Sequence, residues 1–236
     1  MDFNTGSGGG SGAGGSSGGA SVPPPRVSRS AGGGDFDYRD LVPSFIQTVR
    51  EVLFNPVNFF RSIRREGDFL NPLLFAIICS LITAIIGGFL GLIVSLITGQ
   101  GVGSSIAGLF GNIIGIPIVT AIGLFIGAGI YHLIVLLFVR PAHAGYEATF
   151  RAVAYAQAVQ AVAFLAFIPI LGILVILVVA VYQVVLNVIA IREMHATTTG
   201  RAVLVVLLPV VVIGLLALLL VGAILAIFAA AVSQAQ

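Results

Sequence analysis

Five long apolar runs, at about 72–98, 117–139, 150–168, 170–191 and 202–230, govern what this chain can fold into. No Asp, Glu, Arg or Lys lies in the interior of any of them. A helix needs about 20 apolar residues to cross the hydrocarbon core of a bilayer, and the runs reach or approach that length. Composition agrees: 58% of residues are hydrophobic and 8% charged, where a soluble domain carries about 25% charge. Mean hydropathy is +1.12. The expected fold is all-α, a polytopic helical membrane protein with five transmembrane helices, preceded by a cytoplasmic amphipathic helix and a disordered tail.

The tail is expected over residues 1–40, where Gly and Ser alternate and a VPPPR stretch follows at 22–26. Such a segment buries too little apolar surface to offset the entropy of ordering. Residues 41–67 read as amphipathic interfacial helices. Val42, Phe45, Ile46, Val49, Val52 and Leu53 recur at helical spacing, with Gln47, Thr48, Arg50 and Glu51 on the other face. Asn55-Pro56 reads as a cap and first-turn proline, and Arg61, Arg64 and Arg65 close the segment. This layer lies in the headgroup region or packs on the bundle; either places it at one surface. Residues 68–236 form the membrane domain, opened by Asn71-Pro72. Pro117 is expected to split the apolar stretch 108–139 into a short piece, 108–116, and the second span.

Arginine sets the expected orientation. Seven Arg precede the first span, Arg140 and Arg151 flank the second-to-third turn, and Arg192 and Arg201 flank the fourth-to-fifth turn. The remaining connections and the C-terminus carry no charge. With five spans the three basic regions share one side, which the positive-inside rule makes cytoplasmic. The N-terminus is then inside and the C-terminus outside. Arg61, Arg64, Arg65, Arg140, Glu147, Arg151, Arg192, Glu193 and Arg201 form the expected cytoplasmic face.

The net charge of +2 gives no footprint for nucleic acid. Asp, Glu, Arg or Lys inside the spans would mark a pump or proton relay, and none lies in their interior. Metalloprotease and serine-nucleophile signatures are missing, and one cysteine, Cys79, supplies neither a disulfide nor a metal pair. No catalytic residue, metal or cofactor is expected, and the chain reads as a non-enzyme. What remains is a polar group in the spans: His132, Tyr155, Gln157, Gln160, Gln183 and Asn187. Helix rise puts these about 6 to 14 Å inward from the charged side. They form either interhelical hydrogen bonds or a small cavity open to the cytoplasm. The pairs Gly87/Gly91 and Gly123/Gly127 allow close helix approach, within one chain or in a homo-oligomer.

Three stretches, FNPVNFF at 54–60, GYEATFRAVAYAQ at 145–157 and REMHATTTGRA at 192–202, together resemble the Yip (Ypt-interacting protein) domain family. The resemblance covers about residues 45–225. It implies five spans, a cytoplasmic N-terminal region and a short C-terminus on the far side. Eukaryotic members are implied to bind Rab-type GTPases in vesicle traffic, but their DLYGP and GYSL-type signatures are not present, GYEA at 145–148 being nearest. The chain looks more like the prokaryotic branch, for which the family implies no established activity. The expectation is a non-enzymatic scaffold or adaptor in a bacterial plasma membrane. Its expected contacts are the lipid bilayer, a cytoplasmic protein partner and a second copy. The alternative is a small permease or lipid-handling protein using a cytoplasmic-side polar cavity.

Overall fold

The computed structural model describes residues 35–99, 101–139, 144–168 and 171–234. The tail expected over 1–34, and Arg140, lie outside them. A short 3₁₀ turn, Tyr38–Asp40, leads into α1 (Leu41–Phe54) and α2 (Pro56–Ser62). The long elements are α3 (Leu70–Thr98), α4 (Val102–Phe138), α5 (Gly145–Ala156), α6 (Gly172–Met194) and α7 (Thr199–Gln234). A 3₁₀ segment, Gln157–Phe167, continues α5 without a break. No strand occurs among the described residues. Five helices are long and apolar enough to cross a membrane, the third being α5 with its 3₁₀ continuation.

That third span is the post around which the others stand. In its most apolar stretch 61% of residues are buried, against 28% or less in the other four. The reason is compositional: buried alanines from Ala148 to Ala163 let neighbouring backbones come close, where bulkier side chains would hold them apart. Its 11-residue 3₁₀ part is long for that conformation, which seldom runs past three or four residues. Its rise of about 2.0 Å per residue, against about 1.5 Å in an α-helix, stretches the span by roughly 5 Å.

At the end where α3, α5 and α7 begin, α1 and α2 pack against the bundle. Phe36, Phe45, Phe59, Phe75 and Tyr155 form a chain of ring contacts with centroids 5.3–6.4 Å apart, within the favourable range for edge and tilted pairs. Thr48 and Val52 point inward from α1, while Val42, Ile46 and Phe54 face outward. The Tyr182 hydroxyl donates to the Leu53 carbonyl, fixing α1 to α6.

Several boundaries differ from those read in the sequence. Residues 35–40 belong to the packed layer and not to the tail, because Phe36 is buried in the aromatic chain. Pro117 sits inside a continuous 37-residue α4, so residues 108–116 are part of the second span. A proline in a helix loses one backbone hydrogen bond. Ending the helix there would orphan up to about eight backbone groups in hydrocarbon, so continuity wins. The third span begins at Gly145, which puts Glu147 and Arg151 on the helix and not in the preceding turn. Arg192 and Glu193 occupy the last turn of α6. The helix-opening cap near residue 71 comes from Asp68, whose Oδ1 accepts from the Asn71 amide at 2.7 Å. Asn71 is free to accept from the Tyr38 amide at 3.2 Å, tying residues 37–38 to α3.

Candidate functional site

The charged end of the bundle is built around Arg151, which is only 2% exposed. Its Nε donates to the Arg64 carbonyl at 2.8 Å and its Nη1 to the Asp68 carbonyl at 2.9 Å. Its Nη2 meets the Asp35 carboxylate at 2.5 Å. One guanidinium thus holds the N-terminal segment and the α2–α3 connection onto the third span. Only a planar fork of five donors serves three acceptors in this way. Its plane also lies 5.8 Å from the centre of the Tyr155 ring. Gly67, with φ +154°, lets the connection turn so that carbonyls on both sides of it reach the same cation. Burial raises the Asp35 carboxyl from 3.8 to about 6, outweighing the nearby positive charges of Arg151 and Arg64. Sequence reasoning placed Arg151 on an exposed face, and that is overturned.

Beside it, Arg61 on α2 donates to Glu193 on α6 at 3.1 Å. Arg192 reaches the other oxygen of the same carboxylate at 2.6 Å. Arg64, Arg65 and Arg201 are exposed. Glu147 is half-buried, and its Oε1 has no hydrogen-bond partner among the described residues.

A second construction was not legible in sequence. His195, 1% exposed, accepts from the Ala144 amide through Nδ1 at 3.1 Å. Its proton therefore sits on Nε2, which faces Thr149 Oγ1 at 3.0 Å. The threonine hydroxyl then has two acceptors in reach, His132 Nδ1 at 2.9 Å and the Gly145 carbonyl at 3.4 Å. The nearer one gives a His195–Thr149–His132 chain of contacts. It joins the start of α5 to the ends of α4 and α6. Thr149 looked like any helix threonine, and nothing in its spacing marks it as the middle of such a chain.

The six polar residues expected to share one cluster do not meet in a single site. His132 goes to the chain of contacts with Thr149. Tyr155 is fully buried in the aromatic chain. Gln183 donates to the Ala156 carbonyl, at the point where α5 becomes 3₁₀, at 3.2 Å. Asn187 is buried near the charged end of α6. Gln157 and Gln160 together line a cavity of about 330 Å³, with Ser80, Thr120, Gly123 and Leu124. The cluster was inferred by depth alone; depth does not say which way each side chain faces. A larger groove of about 680 Å³ runs along α1 between Pro43, Ile46, Gln47, Arg50, Glu51, Phe54 and Asn55. Among the described residues no group of His, Cys, Asp and Glu has the arrangement to hold a metal ion.

Four apolar helices around a fifth, alanine-lined one, closed at one end by arginine contacts, define a polytopic helical integral membrane protein. Residues 50–231 match the Yip1 domain, and the chain belongs to the Yip1 domain family. No curated protein and no solved structure matches it.

Proposed function

We propose that the protein is a non-enzymatic membrane scaffold or adaptor of the prokaryotic branch of the family. In this reading it sits in a bacterial plasma membrane with its charged end in the cytoplasm. The observation that carries the reading is the clamped N-terminal layer. Arg151 and the Arg61–Glu193 pair fasten α1 and α2 to the bundle, so the outward face of α1 is presented in a fixed orientation. That face mixes apolar Ile46 and Phe54, the latter 83% exposed, with Gln47 and Arg50 along the groove. An aromatic with an arginine on a rigid support is the composition that protein contacts favour. Non-enzymatic character is supported by where the charges go, since Asp35, Arg61, Arg151, Arg192 and Glu193 are engaged with one another.

A photoreactive phenylalanine analogue placed at Phe54, in native membranes, tests the adaptor reading. A discrete protein adduct is expected, reduced at least tenfold by Ile46→Asp on the same face. Adducts to lipid alone would remove the adaptor function and leave α1 as a membrane-contacting helix.

A further inference from the structure

The cavity at Gln157 and Gln160 lies well inside the membrane-crossing part of the molecule. Ser80 stands ten residues into α3, ~15 Å from its start, and Thr120 lies ~27 Å from the α4 end at Phe138. A helix of 3.0 residues per turn eclipses positions three apart. The change from α to 3₁₀ at Gln157 therefore stacks Gln157 and Gln160 on one ridge, facing the same space. In an α-helix they would diverge by about 60°. Both amides, and the Thr120 hydroxyl, have no side-chain hydrogen-bond partner among the described residues. Unsatisfied polar groups at membrane depth are costly and mark ligand or water pathways.

Two further features define what the cavity accepts. None of its lining residues is charged, so a phosphate or an ammonium would lie there unpaired, at high cost. Its wall includes Gly123, which is exposed, between lipid-facing Ile122 and Ile126. The mouth therefore opens sideways among lipid-facing side chains, and a volume of about 330 Å³ is within the usual range for small-molecule sites. We propose that this niche binds the uncharged polar head of a membrane lipid, one bearing hydroxyl or carbonyl groups and no phosphate. The glutamine amides both donate and accept, the Thr120 and Ser80 hydroxyls supplement them, and the apolar tail stays in the bilayer. Diacylglycerols and isoprenoid quinones share this chemistry. The inference is independent of the adaptor reading.

The test uses the full-length protein in lipid nanodiscs and a diacylglycerol carrying a diazirine in its acyl chain. Photolabelling is expected on peptides containing Ser80, Thr120 or Gln157. Dioleoylglycerol or a long-chain quinone should compete, and whichever does so at lower concentration is the natural source. Dioleoylphosphatidic acid, which differs from dioleoylglycerol only by its phosphate, should compete about tenfold less well. The double variant Gln157→Leu with Gln160→Leu should lose about tenfold in labelling. Gly123→Leu should do the same by closing the mouth; a Cβ added there meets nothing within 4 Å, so it decides the matter if the double variant does not fold. Equal labelling in the Gly123 variant, equal competition by phosphatidic acid, or labelling confined to other peptides would each overturn the proposal.

Discussion

Arg151 has the most consequential side chain in the molecule, and its partner Asp35 gives it a dependence on pH. The carboxyl, at about 6 when docked, holds a proton between about pH 4 and 6 that the free segment has released. Docking of residues 35–40 therefore strengthens as pH falls through that window, weakens as it rises, and is flat above it. The whole change is on the order of 3 kcal/mol. Hydrogen exchange at the amides of residues 36–40, corrected for the intrinsic rate, should show this dependence in the natural chain and lose it in Asp35→Asn. The same slope in both would mean another group titrates. Arg151→Lys should cost about 2 kcal/mol, since an ammonium cannot serve all three acceptors at their observed positions. Faster exchange is then expected in the N-terminal segment and in residues 64–68 together; a change confined to one of them would contradict the shared clamp.

At the scale of elements, the third span meets α3 closely at Gly87. A Cβ added at Gly87 would lie 2.2 Å from the Phe167 ring, whereas at Gly91 it would meet nothing within 4 Å. Gly87→Ala should lower stability by roughly 1–3 kcal/mol and recover much of that when combined with Phe167→Ala. Gly91→Ala should stay within about 0.5 kcal/mol of the parent. Thermal unfolding in detergent measures all three, and equal losses at the two glycines would refute the contact. The sequence offered these glycines as an equivalent pair, which shows where its information stopped. Existence and number of the spans were legible because run length and missing charge are local properties. Orientation of side chains was not. The α-to-3₁₀ change at Gln157 has no composition signal, Pro117 carries a break signal that hydrocarbon overrules, and the partners of Arg151 lie 83, 87 and 116 positions away. A charge at a helix start reads as solvated until those distant segments are placed beside it.

Among the described residues the charged groups collect at one end, and the apolar run of α7 from Val210 to Ile227 faces outward. The orientation proposed above is open to direct labelling, because the only native thiol, Cys79, is buried. With a membrane-impermeant maleimide on intact cells, Glu66→Cys should react only after permeabilisation and Ser233→Cys before it. The reverse pattern would invert the topology. The clamp has one more consequence, which concerns time and not space. Asp35 precedes its anchor by 116 residues, so at about 5–20 residues per second the ribosome delivers Arg151 roughly 6–23 s later. During that interval the first helices have only α3 to pack on, through Asn71 and Phe75, and lack the cation that closes the clamp. Chains stalled before residue 151 should leave residues 35–68 open to protease, and chains stalled beyond residue 194 should protect them; equal protection in both would show that the layer docks without its anchor. Residues 35–68 are thus made well before the contact that secures them.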